Sequence, residues 1–89
     1  MPIVVVPPPY RGPTGGEGEI RVDAATVREC IDAVEARFPG FRGQIFDGGG
    51  KVHRFVSFFV NGDEVSRERL DARLAPEDRL EILAAIAGG

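Results

Sequence analysis

The last three residues, Ala87-Gly88-Gly89, offer a reactive group that no side chain supplies. A diglycine carries no Cβ, so it fits a narrow channel that would exclude any larger residue. The reacting group would be the main-chain carboxyl of Gly89, with Gly88 keeping the approach narrow. A bare carboxylate is a poor electrophile, so a partner would have to activate it, typically as an acyl-adenylate. Glycines also end many chains as disordered residues or as remnants of cloning. The diglycine therefore acquires meaning only if the preceding residues make a domain that presents it.

The rest of the chain is poor in catalytic groups. Cys30 is the single cysteine and falls on the apolar side of a helical pattern, where a lone thiol behaves as a small hydrophobe. His53 is the single histidine, and no second histidine or cysteine accompanies it, so neither a metal site nor a nucleophile–base pair is expected. Gly48-Gly49-Gly50-Lys51 lacks the spaced first glycine of a phosphate loop, and Val52 stands where Ser or Thr would bind magnesium. A hairpin-like turn is the expectation there. Asp63, Glu64, Glu77 and Asp78 fall in or beside turns, where acids serve local hydrogen bonding. No paired acid–base site emerges, and the chain is expected not to be an enzyme.

Composition sets the remaining bounds. The 89 residues suit one small domain, which buries roughly 60–65% of its unfolded surface. Apolar residues make up 43% and charged residues 28%, so a folded globular chain is expected rather than disorder. A net charge of −3 gives no global attraction to nucleic acid or anionic lipid. Lys51 is the only lysine. A single cysteine permits no internal disulfide and fits a reducing, cytoplasmic location. The apolar run Ile3-Val4-Val5-Val6 ends at Pro7, too short for a signal peptide or a membrane span.

The elements that would carry the tail can be read in order. Ile3-Val4-Val5-Val6 has strong strand preference and is stopped by Pro7-Pro8-Pro9. Residues 7–18 read as a long turn, and Glu19-Ile20-Arg21-Val22 alternates as a half-buried strand should. Thr26 and Glu29 form a T-x-x-E capping box opening a helix of about twelve residues, with Val27, Cys30, Ile31, Val34 and Phe38 on one face. Pro39-Gly40 stops it. Residues 41–46 read as irregular. Residues 52–60 give the strongest strand, closed by the hairpin signal Asn61-Gly62. Glu64-Val65-Ser66 is the return strand, and Arg79-Leu80-Glu81-Ile82-Leu83 is the last.

The order β-β-α-β-β-β leaves one sheet face without a helix, wet or available to a partner. On the long strand Val56, Phe58 and Val60 should face the helix, while His53, Phe55, Ser57 and Phe59 share the other side. Phe55 and Phe59 are therefore a candidate partner interface, unless residues 7–18 or 41–46 fold over them. The expected class is α+β with a β-grasp, ubiquitin-like order. Residues 1–83 would form the domain and residues 84–89 an extended, flexible tail.

Residues 54–89, with Phe55-Val56-Ser57-Phe58-Phe59-Val60-Asn61-Gly62-Asp63-Glu64-Val65 and the ending from Leu80 to the diglycine, resemble the ThiS/MoaD family of ubiquitin-like sulfur carriers. The helix from Thr26 to its stop at Pro39-Gly40 is similar to the family helix. Pro7…Arg11…Thr14-Gly15-Gly16 resembles the first loop of the MoaD-like carriers that feed cysteine synthesis. Two positions depart from the pattern. Pro76-Glu77-Asp78-Arg79 replaces a Gly-Asp-Glu-like turn, and Ala84 stands where a proline often breaks the tail.

The resemblance implies that the first and last strands lie parallel in the middle of a mixed sheet. It also implies a ubiquitin-activating-type enzyme that uses ATP to adenylate Gly89, and a sulfur donor that leaves a thiocarboxylate there. Neither ATP nor any other cofactor would be held by the chain itself. Ile86, Ala87 and Gly88 would thread the tail into the active sites of the activating enzyme and of a sulfur-accepting biosynthetic enzyme. Six residues from Ala84 can extend roughly 20 Å. The carrier would be a monomer alone. Cysteine biosynthesis is the leading pathway, followed by the small subunit of molybdopterin synthase. Two alternatives stay open: a modifier joined through Gly89 to protein lysines, and a non-covalent interaction domain in which the diglycine is incidental.

Overall fold

The computed structural model describes residues 1–84. The strands are β1 (Ile3–Val5), β2 (Glu19–Arg21), β3 (Val56–Val60), β4 (Asp63–Val65) and β5 (Arg79–Ala84), and the helices are α1 (Val27–Arg37) and the single turn α2 (Arg42–Ile45). The sheet order is β2-β1-β5-β3-β4. β1 and β5 run parallel at its centre, Val4 opposite Leu80, and every other pairing is antiparallel. The expected β-grasp order and its central parallel pair are both present.

Alternation along the strands sorts the sheet into two faces. Val4, Ile20, Val56, Phe58, Leu80 and Ile82 point to α1 and are at most 2% exposed. The helix meets them with Val27, Cys30, Ile31 and Val34. Residues 7–18 and 41–46 add Tyr10, Phe41, Ile45 and Phe46 to this same core, so both loops fold over the helix side of the molecule.

The first turn of α1 has all four of its amides satisfied. Val27 and Arg28 donate to the carbonyls of Ala72 and Leu70 at 3.1 and 2.9 Å, and Cys30 to that of Thr26 at 2.9 Å. The Glu29 amide donates to the Thr26 hydroxyl at 3.1 Å, while the Glu29 carboxylate accepts from the Ala25 amide at 2.9 Å. The capping box thus forms with its return bond one residue further upstream, and the chain around Leu70 and Ala72 seals the helix start.

Three features differ from the sequence expectation. β3 begins at Val56, because Val56 donates to the His53 carbonyl in a turn and His53 donates to the Ile45 carbonyl at 2.9 Å. Val52 keeps only an isolated bridge to Phe46. His53 and Phe55 therefore lie before the strand, and their facing follows from a turn rather than from alternation. Residues 41–46 hold α2, which is too short to produce a helical period, and Glu35 joins it to α1 by accepting from the Gly40 and Arg42 amides. β5 runs one residue past Leu83 to include Ala84.

Candidate functional site

The expected reacting and threading residues Gly89, Gly88, Ala87 and Ile86 lie outside the described residues. What the fold defines is the point from which residues 85–89 depart. β5 is flanked by strands on both sides, by β1 along residues 79–81 and by β3 as far as the Val56–Ala84 pair. β1 and β3 together fix the strand along residues 79–81, and at the departure point β3 alone holds it, through the Val56–Ala84 pair.

The far end of β5 is anchored just as firmly. Asn61 and Gly62 both adopt left-handed backbone, φ 51° and 89°, as the tight hairpin between β3 and β4 requires. The Asn61 side chain donates to Asp78 Oδ1 at 2.8 Å and accepts from the Arg79 amide at 3.0 Å. Asp78 Oδ2 accepts from the Ala75 amide at 2.8 Å. The backbone amide of Ala75, and then Asn61, hold the Asp78 carboxyl below its ordinary value. This turn is one of the two departures from the family pattern, and it is closed by its own hydrogen bonds.

The sheet face away from α1 carries Ile3, Val5, Ser57, Phe59 and Leu83 among Glu19, Arg21, Glu64, Arg79 and Glu81. Phe59 is half-buried, lying between Glu81 and Glu64 in register, while Leu83 is 45% exposed opposite Ser57. Phe55 is 41% exposed in the turn before β3, with its ring stacked on His53 at 4.9 Å between centroids. The Glu19–Arg79 ion pair, 2.8 Å, spans β1 on this face, and Arg79 lowers the Glu19 pKa. Phe55 and Phe59 are thus both accessible. Sequence reasoning passed over the outward, exposed place of Leu83, although its alternation with the inward Leu80 and Ile82 signals it.

The other chemical candidates take structural places. Cys30 is fully buried, and burial together with the Glu29 charge pushes its thiol up to about 11, so it carries no thiolate near neutrality. Asp47 Oδ1 accepts from the Gly49 and Lys51 amides, at 2.8 and 3.0 Å, which makes the glycine run a closed turn. Arg11 donates through Nε to the Val6 carbonyl at 2.9 Å, and its own carbonyl accepts from Gly16. Thr14 is buried, with its hydroxyl 2.9 Å from the Glu17 carbonyl. The Pro7…Arg11…Thr14-Gly15-Gly16 motif is therefore a loop that fastens itself. Among the described residues no cluster of His, Cys, Asp or Glu is arranged to hold a metal ion. No helix among them is long and apolar enough to cross a membrane.

A mixed sheet with β1 and β5 parallel at its centre and one main helix packed on one face defines the class, a ubiquitin-like β-grasp domain. The chain belongs to the ThiS family, whose model matches residues 11–89. It is 34% identical to the sulfur carrier protein CysO of Mycobacterium tuberculosis, over 97% of this chain and 96% of that one. Its fold superposes on a chain of the BexX/CysO complex of Amycolatopsis orientalis with a TM-score of 0.88 and 38% identity, covering both chains completely. SAMP1 of Haloferax volcanii shares the fold, with a TM-score of 0.83 at 22% identity over 99% of this chain and 98% of that one. Members of this family are carriers rather than enzymes, and so is this chain.

Proposed function

We propose that this chain is a sulfur carrier whose Gly89 carboxylate is the site of loading, serving cysteine biosynthesis before molybdopterin synthesis. The observation that carries the reading is the central β5, paired to Ala84, leading into a segment that ends in Gly88-Gly89 within the reach of the ThiS match. A ubiquitin-activating-type enzyme joins the Gly89 carboxylate to AMP from ATP, releasing pyrophosphate. A sulfide-level donor then attacks the acyl carbon and expels AMP, which leaves a thiocarboxylate. That sulfur attacks the electrophile bound by a biosynthetic enzyme. Ile86, Ala87 and Gly88 thread the tail into each active site in turn. The domain acts as a handle, with ATP and the donor held by the partners.

Phe55 and Phe59, joined by Leu83, supply the docking face in this reading. The exposure of Phe55 and Leu83 near the tail's departure point supports it, as does the folding of both long loops onto the opposite side. Cysteine biosynthesis is favoured because the relatives matched along nearly their full length are CysO proteins. The single buried thiol is compatible with a cytoplasmic setting.

Intact mass of the full chain, incubated with the activating enzyme of the same organism, ATP and sulfide, tests the proposal. The expected result is a gain of about 16 Da as sulfur replaces oxygen, giving the nucleophilic thiocarboxylate. Deletion of Gly89 should abolish the gain. Covalent conjugates to lysines with no thiocarboxylate would replace the carrier by the modifier.

A further inference from the structure

A groove outside the open sheet face gathers most of its charge from cations. Arg28, Lys51, Arg54 and Arg67 line it, and only Glu68 and Asp71 oppose them. Asp71 already pairs with Arg69 at 3.5 Å. Four cations against two anions leave a surplus of +2 in a chain whose net charge is −3. Among the described residues, the side chains of Arg28, Lys51 and Arg54 have no ion-pair partner.

The cations are held there by separate elements. Arg67 donates to the His53 carbonyl at 3.2 Å, tying the segment after β4 to the turn before β3. Lys51 follows the Asp47 turn, which its own amide helps to close. Arg28 sits in the first turn of α1, where the positive end of the helix dipole disfavours a cation. Its presence works against the helix it belongs to. The amides of that turn are satisfied by Ala72, Leu70 and Thr26, so the positive field of the groove comes from side chains.

Arg54 brings one end of the groove toward the root of the tail. Arg54 stands two residues before Val56, the partner of Ala84 in the last described pair of β5. A protein that takes up residues 85–89 meets the chain at Ala84, within reach of Arg54.

We infer that this cationic groove is a docking surface for an acidic segment of the activating enzyme, and that it steers that enzyme onto the C-terminal tail. The inference rests on the carrier reading above. Complementary charge acts mainly by raising the encounter rate, by factors of about 10 to 1,000 at low salt, and fades as ions screen it. The nearness of Arg54 to the Val56–Ala84 pair gives the encounter an orientation as well.

The test is the KM of the full chain for the activating enzyme of the same organism, read from sulfur loading at two salt concentrations. The variant Lys51→Glu/Arg54→Glu should raise KM about tenfold at low ionic strength, and by less than about twofold at 0.5 M salt, where screening is within about 5 Å. Lys51→Gln/Arg54→Gln should fall between it and the wild type, and Arg54→Lys should match the wild type. An equal KM for all variants, with the wild type still loaded, overturns the groove and leaves the carrier standing. A defect that persists unchanged at high salt also overturns it, since charge would not be the cause. A wild-type chain that is never loaded overturns the carrier reading and the groove with it. All three exposed substitutions should leave the thermal midpoint near that of the wild type.

Discussion

Phe58 and Phe59 are neighbours on one strand and do opposite things. Phe58 is fully buried between Ile82 and Val65, facing α1. Phe59 faces away from the helix, half-buried between Glu81 and Glu64. The inner face is uniformly apolar and closed by α1 and two loops, whereas the outer face mixes aliphatic and aromatic groups with charges and stays open. One pleat thus separates the residues that hold the fold from those left open to solvent or, in the proposed reading, to a partner. A protein whose reacting group lies on its tail can keep every side chain of its core out of the chemistry.

Truncation should show the contrast at its largest. Phe58→Ala is expected to cost about 3–5 kcal/mol in urea unfolding, because it removes a ring from a packed core and leaves a cavity. Phe59→Ala should cost about 1 kcal/mol or less, since the ring is already half in water. It should instead raise the KM for sulfur loading about tenfold, as expected when an aromatic anchor is lost from an interface. Equal stability losses from the two variants would erase the distinction between the faces.

Much of this division was legible in the chain. The alternation in Val56-Ser57-Phe58-Phe59-Val60 and in β5 assigns each residue its face, and the T-x-x-E box locates the helix start. Asn61-Gly62 identifies the hairpin by its need for positive φ. What escaped were features set by distant partners. The capture of Val52 and His53 by Phe46 and Ile45 shortens β3, and no local pattern signals it. The groove likewise gathers cations from residues 28 to 67, each reading alone as an ordinary surface charge. The first loop carried a resemblance to one branch of the family, yet Arg11 and Thr14 spend their polar groups on the loop itself. Similarity at those positions reports how the loop folds.

The hairpin end joins the two faces, so damage there should reach both. Asn61→Ala loses the bonds to Asp78 and the Arg79 amide, and it places alanine at φ 51°. A loss of about 1–3 kcal/mol is expected from the strained backbone together with the broken bonds. Asn61→Gly loses the same bonds without the strain, so the difference between the two variants, read by thermal unfolding, isolates the strain. If both lose the same amount, the hydrogen bonds carry the whole effect.

Alkali should act on the inner face through Cys30. Its folded pKa is raised from 9.0 to about 11, so the folded state keeps the proton that the unfolded state releases. The thiol's contribution to stability is complete below about pH 9 and is lost as the pH rises through about 11. Iodoacetamide at pH 8 should leave the native protein unmodified and label it fully in urea. Rapid native labelling at that pH would mean that the helix opens locally.

Acid should act on the other side of the comparison, and more weakly. Asp78, Asp47 and Glu19 all have lowered pKa values, set respectively by the Ala75 amide, the Lys51 amide and Arg79. A lowered carboxylate stabilises the fold above its unfolded pKa, and that contribution disappears as the pH falls through the folded value. All three groups are in contact with water, so each effect is small and screened by salt. Unfolding midpoints should hold steady from pH 7 to about 5 and decline below about pH 4. Asp78→Asn should flatten part of that decline while costing little at its foot, where the wild-type carboxylate is already protonated. An acid profile unchanged by Asp78→Asn would place the decline elsewhere, in the Asp47 turn or the Glu19–Arg79 pair, which the corresponding single variants would then separate.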